Sequence, residues 1–138
     1  MRTVALTVAV SCLMTAMATA DEYSCRSIGG EGAVTMDFAL RYSGGAYDVV
    51  SAGFQIEGDI GYSTSATEPT SLATITGIEG DDEHVRFSLH YTDAAYDGDI
   101  ATVHVATLSE GAHTLTAGVL HVVAGGLWPI QCEIDYEG

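Results

Sequence analysis

Lysine is absent from this chain and arginine is scarce: Lys plus Arg number four against 19 Asp plus Glu, for a net charge of −15 over 138 residues. A surface this poor in cations cannot neutralise phosphates, which argues against nucleic acid and anionic membrane surfaces as partners. Proline is almost as rare, with only Pro69 and Pro129. Apolar residues never recur with a helical period, which leaves strands as the expected element. Long hydrophobic runs are missing too. The longest, Val4 to Met14, falls short of the roughly 20 residues that a spanning helix needs, so no membrane span is expected.

That run has another reading. Arg2 precedes it, small residues end it at Ala18-Thr19-Ala20, and acidic Asp21-Glu22 follow. This is the pattern of a cleavable signal peptide over residues 1–20, which predicts an exported protein, periplasmic or secreted. Cys12 does not fit a lipidation site, because Ala9-Val10-Ser11 lacks the expected leucine and the apolar stretch continues past it. Cleavage after Ala20 would leave residues 21–138, the size of one domain with a single core. It would discard Arg2, making the net charge one unit more negative, and Cys12, leaving two cysteines. Cys25 and Cys132 can pair in only one way, and in an oxidising compartment a disulfide is the expected outcome.

Within 21–138 the pattern is one of alternation. Val34, Met36, Phe38 and Leu40 share one parity with polar or small residues between them, the signature of a half-buried strand. Val50, Ala52, Phe54 and Ile56 follow on one face, with Gly53 as a candidate bulge. The segment from Leu72 to Leu108 reads as a meander whose first strand leaves two options open, Ala73 and Ile75 inward or Leu72 and Ile78 inward. A turn centred near Tyr96 would set Leu89 against Val103 and Phe87 against Val105. A last hairpin, centred on Gly125, would place Leu120 and Val122 beside Ile130 and Trp128, with Pro129 marking an edge or bulge. The expected fold is all-β, a single antiparallel β-sandwich or small barrel of about seven or eight strands.

Candidate chemistry is sparse. Asp93, Asp97 and Asp99 lie in one acidic loop and could offer oxygen ligands to Ca²⁺, although their spacing differs from the helix-flanked calcium loop and Asp97-Gly98 also suits a plain turn. His90 and His104 fall on one face of adjacent strands and could hold Zn²⁺ or Cu²⁺ with a third ligand. No Gly-x-Ser-x-Gly elbow occurs, the cysteines are committed to each other, and no carboxylate pair stands out, so no catalytic residue is named and no cofactor beyond Ca²⁺ is suggested. Val119, Val123 and Leu127 are apolar on the face opposite the expected core, and with Trp128 they form a candidate interaction patch. The leading expectation is a non-catalytic binding or structural module for a protein or surface partner, with a metal-binding protein as the alternative.

Overall fold

The computed structural model describes residues 20–29, 33–57, 61–65, 71–81, 83–123 and 125–136. Residues 1–19 of the expected signal peptide, and Pro69 with its neighbours 66–70, lie outside these. Ten strands follow in chain order: β1 (Asp21–Ser27), β2 (Val34–Ser43), β3 (Ala46–Ile56), β4 (Gly61–Ser63), β5 (Ser71–Leu72), β6 (Thr74–Gly80), β7 (His84–Thr92), β8 (Asp97–Glu110), β9 (His113–Val122) and β10 (Gly126–Asp135). The expectation of an all-β fold holds. The count of seven or eight strands is corrected to ten, because β4 and β5 are too short to carry a readable alternation.

All ten strands form one sheet in the order β5-β4-β3-β2-β1-β10-β9-β8-β7-β6, and it rolls up into a nearly closed barrel. Neighbours are antiparallel throughout, except that β4 and β5 run parallel. The two edges of the sheet are consecutive in the chain: Ala73 alone separates β5 from β6. Ala73 is buried and its N–H donates to the Ser63 carbonyl at 2.8 Å. One bent segment thus pairs with β4 through its first half and with β7 through its second. This settles the open strand face, since Ala73 is buried and Ile75 packs against the core while Leu72 and Ile78 are exposed.

The barrel interior is a filled core. Val34, Met36, Phe87, Leu89, Val103, Val105, Leu120 and Ile130 are almost wholly enclosed, each contributing about 1.5–3 kcal/mol by burial. Aromatic rings cross from wall to wall. Tyr23 of β1 stacks on Phe38 of β2 at 4.4 Å, and Phe38 meets the edge of Phe87 of β7 at 5.2 Å. A second series, Phe54, Tyr62 and Tyr91, joins β3 through β4 to β7 beneath the seam. Burial pushes the Tyr23 phenol up to about 12, as expected where ionisation would put a charge among apolar rings.

Local irregularities set the curvature. Ala39 opposes Ser51 but Leu40 opposes Val49, so the bulge in β3 falls at Val50, not at Gly53. Val49 therefore faces the core and Val50 is exposed. The β7–β8 ladder slips after Leu89, and the β6–β7 ladder slips around Gly77, whose φ of 60° suits glycine. In β9, Gly118 lies so close to β8 that a Cβ there would collide with the His104 carbonyl and the Val105 Cα.

Cys25 and Cys132 are directly opposed in the β1–β10 ladder and form a disulfide, 107 residues apart in sequence. Such a bond is consistent with an oxidising, exported location. Pro129 is not on an edge. It lies in a strand flanked by β9 and β1, where the Ile28 N–H donates to its carbonyl at 2.9 Å. Proline has no N–H to return that bond, and the β1 ladder ends there, with Ser27 opposite Ile130 as its last pair.

Candidate interaction surface

The acidic loop folds on itself. Asp93 Oδ1 accepts from the N–H groups of Ala95 and Tyr96 at 2.7 and 2.8 Å, and these two bonds hold its carboxyl below the usual range. Asp97 and Asp99 face His90 instead. His90 Nε2 lies 2.8 Å from Asp97 Oδ1 and Nδ1 lies 3.2 Å from Asp99 Oδ1. Asp97, foremost, and Asp99 raise the imidazole's affinity for its proton. Thr92, foremost, and His90 lower the Asp97 carboxyl. With both ring nitrogens engaged by carboxylates, His90 has no lone pair free for a general base. The structure thus gathers His90, Asp97 and Asp99 into a hydrogen-bonded clamp across the β7–β8 hairpin and leaves Asp93 in its own turn.

His104 stands elsewhere. It opposes Arg86, while Ser88 opposes Thr102 and His90 pairs beyond the bulge with Asp99. The sequence-based register has the right parity but is displaced by two residues, which separates His90 from His104. The neighbour that His104 does acquire is His84, with ring centres 6.2 Å apart. Among the described residues, no group of three or more His, Cys, Asp or Glu side chains is disposed to hold a metal ion.

The outer wall divides by chemistry. Over β10, β1 and β2 it is acidic: Glu22 directly opposes Asp135, and Ser24 lies between Glu133 and Asp37. A shallow concavity of about 450 Å³ on this side is lined by Ser24, Thr35, Asp37, Ser51, Gln55 and Ser63, among others. Over β8, β9 and β10 the outward positions are different. They run in cross-strand rows: Leu108 with Leu115; Ala106 with Ala117; His104 with Val119 and Pro129; Thr102 with His121 and Leu127. No carboxylate occurs in these rows, and the next outward pair on β8 and β9, Glu110 with His113, bounds them at the Gly111 turn. Leu108 is 68% exposed, Leu127 66% and Val119 36%, and Val123 continues the surface beyond the end of β9.

Of the four residues expected to form an interaction patch, Val119, Val123 and Leu127 share this outer face, whereas Trp128 opposes Leu120 and is half-buried against the core. Sequence reading missed Leu108 and Leu115. They lie where β8 and β9 run on past the end of β7, whose last pair on that side joins His84 to Ala106. The signal was present: Leu108 and Leu115 fall symmetrically about the Gly111 turn, where φ is 61°. Set against protein-family models, curated proteins and solved structures, the chain matches none.

Proposed function

We propose that this protein is an exported, non-catalytic binding module that docks a protein partner through the outer face of β8, β9 and β10. One observation carries the reading. In a chain with 19 acidic residues, the rows from Leu108 and Leu115 to Leu127 hold no carboxylate and expose several large apolar side chains. Depletion of charge at the centre of an apolar patch with a polar rim is the composition of an interface core. A solvated acidic face, such as that of Glu22, Asp37, Glu133 and Asp135, serves solubility equally well on any protein. Segment 1–20 is read as the leader that exports the module, and the disulfide accords with that destination.

The test compares two photo-crosslinking positions in the disulfide-closed protein within its native envelope or medium. A crosslinker at Val119 is expected to give a discrete adduct that is abolished by combined Leu115→Ser and Leu127→Ser substitution. One at Ser24, on the acidic face, is expected to give none. The substitutions remove exposed side chains, so the unfolding free energy should stay within about 0.5 kcal/mol of the parent. Equal labelling from both faces, or no adduct from Val119, would refute the docking face. Separately, mass spectrometry of the mature protein should place its first residue at Asp21.

A further inference from the structure

Beyond the docking face, the structure pairs two imidazoles that occupy neighbouring strands of one rigid sheet. His84 on β7 and His104 on β8 both face outward, in adjacent rows of the β7–β8 ladder, diagonal to each other. Their ring centres are 6.2 Å apart with planes inclined by 41°. A metal bound about 2.0–2.1 Å from one nitrogen of each ring puts ring centres roughly 4.5 to 6.5 Å apart, according to the angle at the metal. The observed spacing lies inside that range, toward its wide-angle end, so the two strands hold the rings at a distance one ion can bridge.

The surroundings of His84 favour this role. Asp81 lies in the turn before β7, and its Oδ1 accepts the N–H groups of Glu83 and His84 at 2.8 and 2.9 Å. These bonds fix the carboxylate and keep it ionised. The same oxygen lies 4.0 Å from His84 Nδ1. At that separation the two are not hydrogen-bonded, and the carboxylate contributes a fixed negative charge beside the ring that favours a cation there. Arg86 works in the opposite direction, since it directly opposes His104 and its charge repels a cation.

We propose that His84 and His104 form a two-histidine clamp for a borderline divalent cation, with water completing the coordination. Imidazole ligands select Cu²⁺, Ni²⁺ and Zn²⁺ over Ca²⁺ and Mg²⁺, and Cu²⁺ binds most tightly in that series. His90 is not equivalent, because carboxylates already occupy both of its nitrogens.

The experiment is titration of the disulfide-closed protein with Cu²⁺, followed by calorimetry and by electron paramagnetic resonance, which counts coordinated imidazole nitrogens. One equivalent bound through two imidazoles is expected. His84→Ala and His104→Ala should each weaken binding by at least about tenfold and reduce the count to one, whereas His90→Ala and His121→Ala should leave both readouts unchanged. Asp81→Asn, which keeps the turn's acceptor, should weaken binding a few-fold through loss of the negative charge. Arg86→Gln should tighten it. Circular dichroism of each variant separates loss of a ligand from loss of the fold. Unchanged binding in the double variant His84→Ala/His104→Ala, a single-imidazole spectrum in the parent, or no saturable site would overturn the clamp.

Discussion

Reducing the Cys25–Cys132 bond isolates the covalent constraint while keeping both sulfur atoms in the core, where Cys25 and Cys132 are 5% and 7% exposed. The bond spans a sequence separation of 107 residues, and the loop-closure entropy of a chain that long corresponds to about 4 to 5 kcal/mol of stabilisation. A single domain typically has about 5–15 kcal/mol of net stability in total. Reduction should therefore leave the barrel folded but marginal, with its urea midpoint lowered by roughly 2 to 3 M and its Tm by roughly 15–20 °C. The assay is urea unfolding followed by near-ultraviolet circular dichroism, with and without reductant, and alkylation and mass spectrometry confirm two thiols in the reduced sample. Cys25→Ala/Cys132→Ala should fall slightly below the reduced parent, because it also removes buried sulfur. Equal midpoints for oxidised and reduced protein would refute the reasoning, since the chain ends would then be held together in the unfolded state without the bond. Two free thiols in unfolded, unreduced protein would remove its premise.

Gly118→Ala is expected to cost about 1–3 kcal/mol in chemical unfolding, because the added methyl group meets the backbone of β8 and not a side chain that could rotate away. Gly111→Ala, in open space at φ 61°, should cost only about 1 kcal/mol through backbone strain. Glu22→Gln should raise stability by roughly 0.2–1 kcal/mol at low salt by relieving its direct opposition to Asp135, and added salt should erase the gain. The His90 clamp has a pH window with two limits. The raised imidazole value means that its contribution is complete below the ordinary histidine value and disappears as pH rises through the folded value. The depressed values of Asp93 and Asp97 mean that theirs is lost as pH falls through the folded carboxylate values. Amide exchange at Tyr96 should be slowest between these limits, and His90→Gln should abolish only the upper one.

Parity was legible in the sequence, and register was not. Alternation depends only on which residues are apolar, so Val34, Met36, Phe38 and Leu40, and likewise Phe87 with Leu89, read correctly as core. Register depends on how many residues a turn or bulge absorbs. The extra residues at Val50, at Ile100 and around Gly77 leave no compositional trace that separates them from ordinary strand positions. That is why His104 is matched with His90 when its neighbour is His84, and why Ile130 is set beside Leu120 when Trp128 lies there. The disulfide was legible for a different reason: after the proposed cleavage only one pairing remains. The docking face was half legible, because Val119, Val123 and Leu127 were visibly apolar, but the run of carboxylate-free rows between Leu108 and Leu127 emerges only once β8, β9 and β10 are laid side by side.

The pairing of β1 with β10 has a consequence in time. Among the described strands β1 comes first in the chain and β10 last, yet they are hydrogen-bonded neighbours. Until β10 has emerged, β1 can pair with β2 alone, and the partners of Tyr23 and Cys25 on the other side are missing. A chain with this wiring cannot complete this core before β10 has been made, or while β10 is still threaded through a narrow pore. It must remain open until its last strand arrives, and the bond between Cys25 and Cys132 can form only after that arrival.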